Sequence, residues 1–216
     1  MTIYRQLLGC YDAQHWWPGE TPFEVMVGAV LTQNTAWSNV EKAIDNLKEL
    51  DALNLESLLT MPPDSLAVQI RPAGYFNVKT ERLLNLCRFL QQNPGLEVLH
   101  TDELRARLLS IHGIGPETAD DILLYAFDRP VFVIDAYTRR LFGRLGLIAH
   151  DCGYESLRAG FEAALRSDST LFSEYHALIV VHAKAHCRTK PLCVSCPLSE
   201  LCRYRMDQLA NGISAV

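Results

Sequence analysis

The chain has 216 residues, 49% of them hydrophobic, and a formal net charge of −5. That is apolar material enough for one domain or two small ones sharing an interface. The charge excludes a protein that coats nucleic acid by bulk attraction, so any grip on a polyanion must be local. The longest apolar runs, such as Phe23 to Leu31 and Leu178 to Ala183, are interrupted by Glu24 or a histidine and fall short of a membrane span. Met1 to Cys10 has no apolar stretch followed by a small-residue cleavage site, so a cytoplasmic protein without a membrane anchor is expected.

Helical spacing begins early. Phe23, Met26, Val27, Val30 and Leu31, then Val40, Ala43, Ile44 and Leu47, recur at three and four residues, as amphipathic helices require. Thr21 with Glu24 and Ser38 with Glu41 have capping-box spacing, and Pro22 suits a first helical position. Between them Leu31-Thr32-Gln33-Asn34-Thr35-Ala36-Trp37 is expected at the end of the second helix. Met61-Pro62-Pro63, Arg71-Pro72-Ala73-Gly74 and Asn93-Pro94-Gly95 break the pattern, and Leu83, Leu86, Phe89 and Leu90 resume it. Val131-Phe132-Val133-Ile134 is strand-like but short and isolated, so it is expected as an extended buried connector. The fold class is all-α, with about ten helices of ordinary length. Basic residues gather late, at Arg139, Arg140 and Arg144 and then at Lys184, Arg188, Lys190, Arg203 and Arg205; this suits either solvated helix faces or a local anion contact.

Three constellations carry chemistry. His112-Gly113-Ile114-Gly115-Pro116 joins two helices by a tight glycine turn, where Gly113 and Gly115 permit special dihedrals and close approach to a phosphate; alone it equally fits an ordinary helix–helix turn. Asp135 follows the connector and opens the helix of Tyr137, Leu141 and Phe142, a position that also fits a plain N-cap. Of seven cysteines, Cys187, Cys193, Cys196 and Cys202 form a C-x5-C-x2-C-x5-C run. Four thiolates in one loop suit an iron–sulfur cluster or zinc, and argue against a disulfide framework.

The glycine hairpin, Val133-Ile134-Asp135 and the C-terminal four-cysteine loop, in this order, resemble the endonuclease III superfamily of DNA glycosylases over nearly the whole chain. The resemblance implies a six-helix barrel domain over 19–130 and a second helical domain from 1–18 and 131–216, the latter carrying a [4Fe-4S] cluster on Cys187, Cys193, Cys196 and Cys202. It implies double-stranded DNA as partner, bound by a monomer, with Gly113, Gly115, Glu117 and Thr118 of the hairpin on the backbone and Asp135 as the catalytic carboxylate. It also implies that Asn34 fills the gap left by a flipped base. Endonuclease III has one more residue between its first two cysteines. Its bifunctional members carry a lysine where this chain has Glu117, and a carboxylate cannot form a Schiff base, so an enzyme without strand cleavage is expected. The adenine-specific branch has a glutamate where this chain has Ala29.

His15-Trp16-Trp17-Pro18, the Trp37 segment, Arg71-Pro72-Ala73-Gly74-Tyr75-Phe76-Asn77 and Glu117-Thr118-Ala119-Asp120 are similar to the Helicobacter-type 3-methyladenine glycosylases of the same superfamily. That resemblance implies a base pocket of Trp16, Trp17, Pro18, Trp37 and Lys184, although each tryptophan also suits core packing and the lysine suits solvent or a phosphate. A cationic methylated purine stacks well between electron-rich rings and leaves readily. The expected activity is therefore excision of alkylated purines, 3-methyladenine above all. A uracil or thymine mismatch glycosylase, an endonuclease III-like glycosylase/lyase and a non-catalytic iron–sulfur DNA-binding protein are the competing readings.

Overall fold

The computed structural model of the chain describes residues 1–16 and 19–211; Trp17 and Pro18 of the expected base pocket lie outside the described residues. Those described are helical or irregular, with no strand among them, and none of their helices is long and apolar enough to cross a membrane. The chain forms two compact units, Met1–Trp16 with Pro130–Val216, and Trp17–Arg129.

Among the described residues, the unit Trp17–Arg129 holds six α-helices before the glycine turn, α2 (Pro22–Leu31), α3 (Trp37–Glu49), α4 (Leu55–Thr60), α5 (Pro63–Gln69), α6 (Phe76–Gln92) and α7 (Thr101–Leu109), and α8 (Pro116–Asp121) after it. α8 runs on as a wider π-type turn over Ile122–Ala126. The start of α2 follows from its sequence: Thr21 accepts from the Glu24 amide at 3.1 Å and Pro22 fills the first turn. The Glu24 carboxylate reaches back to the Glu20 amide at 3.2 Å and pairs with Lys48 at 3.0 Å. Val25, Met26, Val27, Val30 and Leu31 are buried, so α2 is a core helix, packed against α3, α6 and α8. Each such side chain contributes about 1.5–3 kcal/mol of burial.

The start of α3 differs from expectation. Its N-cap is Ala36, without a side-chain cap, and Trp37 is its first residue. Trp37 therefore opens the third helix and does not close the second. The indole ring sits over Gly28 of α2, where an added Cβ would lie 3.5 Å from Trp37 Cη2. The cap at Ala36 lies two residues before Ser38, which falls inside the first turn.

The other unit is built from α1 (Thr2–Tyr11), α9 (Ala136–Leu145), α10 (Tyr154–Ala164), α11 (Ser169–Ala185) and α12 (Arg203–Ala210). The segment Val131 to Ile134, expected as a buried connector, is buried and belongs to no helix or strand. Phe132 stacks on Phe161 at 4.4 Å between ring centroids and meets Phe172 edge-on at 5.4 Å. Its amide donates to Glu162 Oε1 at 3.0 Å. A connector pinned by its ring and its amide delivers Asp135 to one position.

Candidate functional site

Asp135 caps α9: its backbone is extended, and Oδ1 accepts the Thr138 amide at 2.7 Å. The cap does not exhaust the carboxylate, because Oδ2 lies 3.5 Å from His176 Nε2 on α11, with the two side chains 13% and 7% exposed. Burial opposes ionisation, but the bond and charge of His176 and the Thr138 amide outweigh it and hold the carboxyl below its ordinary value. Trp16 stacks on the His176 ring at 6.1 Å and 12°. Asp135 and Trp16, far apart in sequence, are thus joined through a histidine that sequence reasoning did not select. Lys184 lies two turns further along α11, exposed.

In the other unit the glycine turn connects α7 and α8, and a buried bidentate pair ties these helices together, Arg105 Nε to Asp120 Oδ1 at 2.6 Å and Nη2 to Oδ2 at 3.2 Å. The two glycines differ. Gly113 has φ +97, and a Cβ there would lie 2.3 Å from Arg82 Cγ. Gly115 has φ −94 and ψ 177, which any residue adopts, and its Cβ would meet nothing within 4 Å. Special dihedrals were expected at both; only Gly113 has them. Glu117 is exposed, whereas Thr118 is buried and its hydroxyl accepts Gln33 Nε2 at 3.0 Å. Gln33 Nε2 also donates to the Gly113 carbonyl at 3.0 Å, and Gln33 Oε1 accepts Arg82 Nη1 at 2.5 Å. Asn34 beside it is exposed with φ 53.

The turn bearing Asn34 is also held from below. Lys79, 1% exposed, donates to the Leu31 carbonyl at 2.7 Å, Thr35 Oγ1 at 2.5 Å and the Ala73 carbonyl at 2.8 Å. Burial, and then the charge of Arg82, pull its amine down to about 8. Three acceptors around an ammonium with three protons is a satisfied site.

Cys187, Cys193, Cys196 and Cys202 line one small cavity with His182, His186 and Arg144. Arg144 Nη1 donates to Cys187 Sγ at 3.3 Å and to the Arg188 carbonyl at 2.6 Å, and Nη2 donates to the Thr189 carbonyl at 3.0 Å. Burial pushes the Cys196 thiol up to about 11, with Cys202, Cys187 and Cys193 adding to it. Tyr11 Oη lies 2.9 Å from His182 Nδ1 and 2.8 Å from His186 Nδ1, and His182 Nε2 is 3.7 Å from Cys196 Sγ. As the side chains stand, no three His, Cys, Asp or Glu residues among those described form a group placed to hold a single metal ion. Beside this loop Arg139, Arg140, Arg144 and Arg203 line a second concavity. Arg139 and Arg140 donate to the carbonyls of Cys152 and Cys187, so their charges are held in place by neutral acceptors.

A family model described as the HhH-GPD superfamily base excision DNA repair protein matches residues 27–167. A Methanocaldococcus jannaschii protein assigned as a DNA repair glycosylase is 52% identical over 206 residues, 93% of this chain and 94% of that one. The fold is similar to the H. pylori 3-methyladenine DNA glycosylase bound to 1,N6-ethenoadenine, with TM-score 0.74 and 30% identity over 85% of this chain and 96% of that one. It is also similar to an endonuclease III–DNA complex, with TM-score 0.83 and 23% identity over 97% and 96%.

Proposed function

This chain belongs to the HhH-GPD superfamily of base excision DNA repair proteins and is a DNA glycosylase, and from that premise we propose that it excises alkylated purines, 3-methyladenine foremost, from duplex DNA as a monomer and without cutting the strand. The observation that carries the reading is the Asp135–His176–Trp16 assembly, an ionised, mostly buried carboxylate beside an aromatic face. As the bond from the sugar C1′ to the base nitrogen breaks, positive charge develops on the sugar and the Asp135 carboxylate stabilises it. The cationic base departs neutral with the bonding pair. A water oxygen then bonds to C1′ and gives up a proton, which the carboxylate can relay to solvent. The rings of Trp16 and of Trp37 would each attract a cationic base by cation–π interaction, and Trp17, Pro18 and Lys184 are the other base-recognition residues that the family resemblance implies.

Glu117 has no amine for a Schiff base, and Lys184 is exposed on the last turn of α11. Gly113 and Gly115 would bring hairpin amides against DNA phosphates, with Glu117 at the contact. Open space around the Gly115 Cα supports this, because nothing inside the protein requires that residue to be glycine. The hydroxyl of Thr118 would serve by shaping the turn. Asn34 would fill the gap left by the flipped base.

Cys187, Cys193, Cys196 and Cys202 fit a [4Fe-4S] cluster in donor type and in sharing one cavity, with an Arg144 N–H already on one sulfur. Bound, it would supply a redox-capable crosslink for the loop. Iron and sulfide in the purified protein check this, and stoichiometric zinc without iron overturns it.

The test of substrate is single-turnover base release from matched duplexes bearing methylated purine, uracil or mismatched thymine. Methylpurine is expected to leave fastest, and Trp16→Ala or Trp37→Ala to slow it by about tenfold. Faster uracil release, or release indifferent to both substitutions, overturns the alkylpurine reading. Borohydride trapping of a covalent adduct overturns the absence of strand cleavage.

A further inference from the structure

We infer that Gln33 is a positioning residue that couples the DNA-gripping hairpin to the turn presenting Asn34, so that engagement of backbone and insertion into the duplex act as one event. The inference rests on the hairpin and Asn34 roles proposed above. Its basis is a closed ring of three side-chain-mediated contacts. Gly113 has φ +97, and the aliphatic stem of Arg82 stands where its Cβ would be. The guanidinium of Arg82 donates to Gln33 Oε1 at 2.5 Å, and Gln33 Nε2 donates back to the Gly113 carbonyl and to Thr118 Oγ1, each at 3.0 Å. One amide therefore uses its acceptor on α6 and its donors on the hairpin and α8. No other residue type of that length offers both functions on one planar group.

The far side of the turn is fixed as well. Lys79 binds the Leu31 carbonyl before Gln33 and Thr35 Oγ1 after it. Lys79 and Arg82 are three residues apart and so share one face of α6. Asn34, between the two anchors, has a left-handed backbone, a conformation that asparagine takes more readily than other non-glycine residues. A displacement of the hairpin toward a phosphate is thus transmitted to Asn34 through the Gln33 amide, with α6 as fulcrum.

The test uses the whole chain and two duplexes: an undamaged one, reporting backbone grip alone, and one with a tetrahydrofuran abasic site flanked by 2-aminopurine, whose fluorescence rises as the stack opens. Gln33→Glu keeps an acceptor for Arg82 and loses both donations. It is expected to bind the undamaged duplex within about twofold of wild type while its preference for the abasic duplex, and the fluorescence rise, fall about tenfold, the size of coupling that residues in one network show. Thr118→Val, which removes one of Gln33's acceptors from inside the fold, is expected to lower the preference for the abasic duplex to a smaller degree and to be non-additive with Gln33→Glu in that preference. Parallel loss on both duplexes, or no change on either, overturns the coupling. Asn34→Ala separates the underlying reading: loss of the rise in Asn34→Ala with full retention in Gln33→Glu overturns the coupling alone, whereas retention in Asn34→Ala overturns Asn34 as the inserting residue.

Discussion

Asp135 and Asn34 are both short polar residues in segments that lead into a helix, and the molecule fixes them by opposite means. Asp135 has an ordinary extended backbone, and its side chain is fixed by the ion pair with His176 on one oxygen and the hydrogen bond from the Thr138 amide on the other. Asn34 is exposed, and its backbone is fixed, at φ 53, by neighbours on both sides. The contrast teaches that the carboxylate proposed to act on developing charge is positioned electrostatically, whereas the residue proposed to enter the duplex is positioned mechanically. Substitutions should therefore separate chemistry from insertion.

The largest effect falls on the electrostatic side. Asp135→Asn is expected to slow base release by about two to three orders of magnitude with DNA affinity preserved; asparagine keeps the cap, but the charge that His176 and the Thr138 amide favour is lost, so melting at neutral pH should fall modestly. A variant left without a folded, DNA-binding form at the assay temperature would reduce Asp135 to a structural cap. His176→Ala comes next. His176 lowers the Asp135 carboxyl and burial raises it, so removing the histidine moves that carboxyl upward. A carboxyl protonated at higher pH is inert at higher pH, and the acid limb of the pH–rate profile should shift up; an unmoved limb breaks the electrostatic half of the comparison.

On the mechanical side, Lys79→Met leaves the Leu31 and Ala73 carbonyls without this donor and is expected to cost about 1–3 kcal/mol of stability. The sign of its pH dependence is fixed. With the folded amine lowered to about 8 from 10.5, the unfolded chain holds more protons between those values, so wild-type stability should rise with pH across that window relative to Lys79→Met. Chemical denaturation at several pH values reads this slope, and a flat difference shows that the amine is not depressed. The smallest effect concerns the glycines. Gly115→Ala should leave melting unchanged and weaken DNA binding, because its Cβ meets nothing in the protein, whereas Gly113→Ala should lower melting, because of its φ of +97 and the displaced Arg82 stem. Equal behaviour of the two would mean that Gly115 is structural.

What the sequence made legible was local. Thr21, Pro22 and Glu24 announced a helix start that the structure has, and the apolar run before Asp135 announced a buried connector ending in a cap. Ser38 misled, because cap statistics know nothing of a tryptophan ring packing on Gly28. His176, Gln33 and Lys79 gave no signal, for a shared reason. Each matters through partners set by tertiary packing, and spacing along the chain cannot distinguish Lys79, on the inner face of α6, from a solvated lysine.

Tyr11 closes the account of the cysteine loop by simple proton counting. Its hydroxyl carries one hydrogen yet lies within bonding distance of two imidazole Nδ1 atoms, so it donates to one ring and accepts from the other. Burial, and then His186, pull His182 down to about 4, so at neutral pH that ring carries one hydrogen, on either Nδ1 or Nε2. A Cys196 thiolate calls for the Nε2–H form and a Cys196 thiol for the Nδ1–H form, and each choice dictates the direction of the Tyr11 hydroxyl and the tautomer of His186 in turn. The ionisation state of one sulfur is thereby written, as a reversal of hydrogen-bond polarity, into the end of the first helix.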